Sequence, residues 1–125
     1  MFVNKRFLIL ILGIFPLMVF LILSGCTIPL PNIYTITFKA DTSWIDTDYF
    51  IYHKILVYVD GSKVGEILTT DDEISETVLE GTHSVKVYLY NYWDDYTVDY
   101  YSRSIAVNSN ITIFIHVTSD GTIYF

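Results

Sequence analysis

Three histidines, His53, His83 and His116, are the side chains of this sequence best suited to proton or metal chemistry, and their spacing argues against both. Each falls on a different predicted strand. No two form a close His-x-x-x-His pair, and the only cysteine, Cys26, stands upstream of all three, so no zinc-type ligand set is visible. His53 and His116 would meet across a sheet only by accident. The serines lie in no nucleophile-elbow sequence. Carboxylates cluster twice, as Asp71-Asp72-Glu73 with Glu76 and as Asp94-Asp95 with Asp99. Neither cluster has the ligand spacing or the glycine of an EF-hand loop. Solvated loop charge is the plainer account, and a weak calcium site between loops is the alternative. The expectation is a non-catalytic chain with no metal site and no cofactor.

A different chemistry is concentrated between Tyr88 and Tyr101, where six tyrosines and Trp93 fall within fourteen residues. If Val85, Val87 and Leu89 face a core, period-two alternation puts Tyr88, Tyr90 and Tyr92 on the opposite face. An exposed tyrosine row is rigid, amphipathic and able to hydrogen-bond. Tyr90, Tyr92, Trp93 and Tyr96 with Asp94 and Asp95 therefore form the candidate binding surface. Rings that stack and carboxylates that accept hydrogen bonds suit a sugar or a partner protein. The competing account is that these tyrosines are strand formers paired across a sheet. Trp44, near Asp41, Asp46 and Asp48, is either part of the same surface or a core plug.

The elements that must position these residues are strands. Tyr34, Ile36, Phe38 and Ala40 alternate with polar residues, as do Ile55, Val57 and Val59, then Val85, Val87 and Leu89, then Ile111, Ile113, Ile115 and Val117. Turn signals separate the runs at Asp60-Gly61, Glu80-Gly81, Asn108-Ser109-Asn110 and Asp120-Gly121. No helical pattern is evident. The expected fold is all-β, a small antiparallel β-sandwich of about seven strands over residues 33–125.

The N-terminus has another character. Lys5-Arg6 precede an apolar run of 17 residues, Phe7 to Leu23, which ends in Leu23-Ser24-Gly25-Cys26. Cations before an apolar stretch are the pattern of a secretory signal. The four closing residues resemble the lipobox of a bacterial lipoprotein. That resemblance implies a signal peptide over residues 1–25, cleavage before Cys26 and palmitate-type acylation of its sulfur, the only covalent group expected. Residues 26–32, with Pro29 and Pro31, form a short extended tether. The alternative is an uncleaved anchor. Either way the domain is held to a membrane, in the cell envelope, facing the periplasm or the exterior. Thr27 weakly favours an outer membrane. Beyond the signal, five basic residues stand against 14 acidic ones, a difference of −9, which argues against nucleic acid as a partner. With Cys26 acylated, no disulfide is available and stability must come from burial.

Two segments add a second resemblance. Val57-Tyr58-Val59-Asp60-Gly61-Ser62-Lys63-Val64-Gly65 and Leu79-Glu80-Gly81-Thr82-His83-Ser84-Val85-Lys86-Val87 together resemble the PEGA domain, a small sandwich of bacterial and archaeal envelope proteins. Ile105 to Ile113 resembles its closing hairpin. Glu80 stands where that family usually has proline, and Thr69-Thr70 where Thr-Pro is common. The family has no catalytic set, so the resemblance implies a surface or binding module. His83, directly after a turn, is expected to be a hydrogen-bonded strand-end residue. The expected role is an envelope module contacting a cell-wall glycan or a partner protein, with a structural accessory of an envelope complex as the alternative.

Overall fold

The computed structural model describes Gly25 and residues 28–41 and 52–125. Cys26 and the whole apolar run before it, with Trp44, Asp46 and Asp48, lie outside the described residues. Pro31–Phe125 form one compact unit. Its strands are β1 (Ile33–Ala40), β2 (His53–Val59), β3 (Ser62–Ile67), β4 (Glu73–Leu79), β5 (Gly81–Asn91), β6 (Tyr96–Val107), β7 (Ile111–Val117) and the two-residue β8 (Ile123–Tyr124).

Alternation makes these strands and decides which face is dry. Ile36, Phe38 and Ala40 of β1, Ile55, Val57 and Val59 of β2, and Val85, Val87 and Leu89 of β5 are buried with Ile113, Ile115 and Val117 of β7. They meet between two four-stranded sheets, ordered β4-β1-β7-β8 and β3-β2-β5-β6. The all-β sandwich read from the sequence is the fold. One pairing departs from the antiparallel expectation, because β1 runs parallel to β7, with Phe38 opposite Ile113 and Ala40 opposite Ile115. Parallel neighbours need a long crossover. Here the crossover contains β4 and the whole of the second sheet.

Two glycines and two extra residues shape the second sheet, the first extra residue being Val64, skipped on β3 between Gly65, opposite Val57, and Lys63, opposite Tyr58. Val59 pairs with Ser62 across a two-residue turn in which Asp60 has φ 50° and Gly61 φ 80°. Positive φ at both central positions is the hairpin turn that matches strand twist. Gly65 is needed for a different reason, since a Cβ there would lie 3.0 Å from the Ile74 side chain across the sandwich. On β6 the register shifts between Leu89, opposite Asp99, and Tyr90, opposite Thr97. Val98 is thus a bulge residue, and it resets which β6 side chains point outward.

The end of the sandwich where the chain enters is tied down tightly. The Glu80 amide donates to the Asn32 carbonyl (2.8 Å), and the Asn32 side-chain amide donates to the Glu80 carboxylate (2.7 Å). Beside them, His83 Nδ1 lies 2.7 Å from Asp60 Oδ2 and His83 Nε2 2.7 Å from the Leu79 carbonyl. The second oxygen of Asp60 accepts the Ser84 amide at 2.9 Å. His83 is the hydrogen-bonded strand-end residue expected.

Candidate functional site

From that end β5 runs eleven residues to Asn91. At about 3.3 Å per residue, the far hairpin stands roughly 30 Å from Asn32. Asn91 builds this tip from beneath. It is only 7% exposed, its Oδ1 accepts the amides of Trp93 (2.9 Å) and Asp94 (3.0 Å), and its Nδ2 donates to Asp94 Oδ2 (3.1 Å). An asparagine that bonds the backbone two and three residues on is a preformed turn. Asp95 completes it with φ 59°, and its carboxylate accepts the Tyr90 hydroxyl.

The turn places Tyr92, Trp93, Asp94 and Asp95 outside the strands, with Tyr96 at the start of β6. Trp93 is 75% exposed, Tyr96 50% and Tyr92 44%. Five of the six residues proposed from the sequence thus share one solvent-facing tip. Tyr90 is half-buried and supports the tip through Asp95. Tyr88 and Tyr90 lie on the outer face of β5, as alternation requires, but Tyr92 has left the strand. The sequence reading missed Tyr52, whose carbonyl accepts the Tyr92 amide (3.0 Å) and whose ring meets Trp93 edge-on, centroids 5.8 Å apart. Nothing short-range announces that contact. It follows from β2 pairing with β5, which sets His53 opposite Asn91.

The other residues singled out are dispersed. His53 lies on β2 and His116 on β7, in different sheets. His116 stacks on Tyr124, its Nδ1 3.0 Å from Asp41 Oδ2. Asp72 accepts the Leu68 and Thr69 amides, which hold its carboxyl below the usual range. Glu73 pairs with Lys39 at 2.8 Å, and Asp99 accepts the Ile123 amide at 3.0 Å. These carboxylates organise loops and strand ends. Among the described residues no three His, Cys, Asp or Glu side chains converge on a metal position.

Compared with known protein families, curated proteins and solved structures, the chain matches none of them. The arrangement itself is chemically specific. Exposed ring faces beside carboxylates stack on an apolar sugar face and accept its hydroxyl protons, or receive an aromatic-lined partner surface.

Proposed function

We propose that this chain is a lipid-anchored, non-catalytic module of a bacterial cell envelope, PEGA-like in its sandwich, which contacts a cell-wall glycan or an envelope protein through its hairpin tip. The single observation that carries the reading is a largely exposed Trp93 whose amide is held by buried Asn91 and whose ring meets Tyr52 edge-on, in the turn that also exposes Tyr92, Asp94 and Asp95. A ring exposed to water yet fixed by its backbone loses little entropy on contact, which is what a recognition residue requires. Lipidation of Cys26 supplies the membrane partner. With the tether ending at Asn32, the tip occupies the end of β5 remote from it, available to whatever lies beyond the bilayer.

The second reading, a structural accessory of an envelope complex, is favoured by one feature. β6 is a twelve-residue strand at the edge of its sheet, and an unpaired edge offers main-chain hydrogen bonds to another protein. A glycan array probed with the wild-type chain and with Trp93→Ala separates the two. Glycan signal lost in the variant supports the tip, and no signal from the wild type favours the accessory.

A further inference from the structure

The outer face of the β3-β2-β5-β6 sheet is a surface unlike the rest of the domain. Register places its outward side chains in three cross-strand rows. Lys63, Tyr58, Lys86 and Ser102 form one, and Glu66, Leu56, Tyr88 and Tyr100 the next. Lys54, Tyr90 and Thr97 form the third. The tyrosines touch across strands: Tyr58 and Tyr88 have ring centroids 5.4 Å apart, and Tyr88 and Tyr100 5.9 Å.

Charge is segregated here. Of the five cations after the signal, Lys54, Lys63 and Lys86 all lie on this face, and Glu66 is the one carboxylate in its rows. Glu66 takes both Lys54 (3.2 Å) and Lys63 (2.5 Å). Lys86 forms no ion pair among the described residues. Its ammonium rests 4.9 Å from the Tyr88 ring centroid and 4.6 Å from that of Tyr100. Lys54 likewise sits 5.6 Å over Tyr90. A domain with a large acidic excess thus keeps a positive, aromatic strip on one broad face.

We propose that this strip is a docking surface for an anionic polysaccharide, one bearing phosphate, sulfate or carboxylate groups along its chain. Lys86 would meet the anion, and Tyr88 and Tyr100 would stack on the neighbouring sugar. The face is flat, so a single small anion has no concavity to hold it. A polymer gains by repeating the contact over three rows, each two residues, about 7 Å, from the next. Acidic surface elsewhere repels a polyanion and leaves this strip as its one favourable track. The strip adjoins the hairpin tip at Tyr90, whose hydroxyl donates to Asp95, but the proposal rests on Lys86, Tyr88 and Tyr100 and not on the tip.

Dextran sulfate is the probe, with neutral dextran as its control and the full chain held in neutral detergent. Retention on dextran sulfate alone, falling steeply with salt, is expected, since the contact displaces counterions. Lys86→Gln should weaken retention about fivefold and Lys54→Gln should add to the loss, whereas Lys86→Arg should retain binding because the charge persists. Lys39→Gln, on the other sheet, should leave it unchanged. Melting temperatures matching the wild type exclude unfolding as the cause. No retention, retention indifferent to Lys86→Gln with Lys54→Gln, or stronger capture by oligo(dT) than by dextran sulfate of equal charge would each overturn the proposal.

Discussion

His83 and Asp60 form a hydrogen-bonded pair, Nδ1 to Oδ2 at 2.7 Å, while the opposite ring nitrogen faces the Leu79 carbonyl at the same distance. Both ring nitrogens thus face acceptors, and only the imidazolium donates to both. The Asp60 carboxylate raises the pKa of His83 above its ordinary 6.5, and the His83 ring lowers that of Asp60 below its ordinary 3.8. Three strand ends meet at this pair: the β2–β3 turn, the end of β4 and the start of β5.

The pair makes stability depend on pH in a definite direction. The His83 contribution is complete below 6.5 and is lost as pH rises through its raised folded value. The Asp60 contribution is complete above 3.8 and is lost as pH falls through its lowered folded value. Between those limits the pair stabilises most. Melting temperature should therefore fall as pH rises above 6.5 in the wild type, and fall less in His83→Gln. Parallel melting curves for the two proteins would show that the pair does not couple folding to pH.

Gly65 should resist enlargement. Gly65→Ala drives a methyl group against Ile74, 3.0 Å away, and should cost about 1–3 kcal/mol as overpacking does. Ile74→Val in the same chain removes part of the obstructing side chain and should recover some of that loss. Urea titration of the two single variants and the double variant measures the coupling. Additive losses would mean that the close approach of β3 to β4 is not what requires glycine.

The proposed anchoring rests on one atom. Cys26→Ser should abolish acylation and leave an unprocessed precursor, because the proposed attachment is to its thiol. Mass spectrometry of the wild-type chain isolated from bacterial membranes should find an N-terminal Cys26 carrying acyl chains. A different mature N-terminus would contradict lipid attachment.

Strand positions were legible because alternation belongs to each strand alone. Ile36, Phe38, Val57, Val87 and Ile115 are buried where a period of two puts them. Register belongs to pairs of strands and leaves little trace in a single run. The alignment of Tyr58, Tyr88 and Tyr100 arises only once β2, β5 and β6 are in register, with Val98 bulged out. Tyr52 reaches Trp93 for the same reason. The parallel neighbours β1 and β7 are separated by 70 residues, 41–110, and no local signal joins them. The tip was legible as a density of rings. The buried Asn91 that organises it was not, since its role depends on the burial of its side chain.

Asn91 and Tyr90 support the tip rather than form its contact surface. Asn91→Ala removes the acceptor of two amides and should cost about 1–3 kcal/mol. Tyr90→Ala should also destabilise, because its hydroxyl holds Asp95. Binding should fall in both variants together with stability.

Trp93→Ala, measured for melting temperature and for retention on insoluble cell-wall glycan with the same preparation, tests recognition by the tip most directly. An exposed substitution should leave stability within about 0.5 kcal/mol. Loss of a central aromatic anchor should weaken capture by more than about 1 kcal/mol, and Tyr92→Ala should act in the same direction. Unchanged capture by a fully folded Trp93→Ala, or a large drop in melting temperature that accounts for all the lost binding, would contradict recognition through this tip.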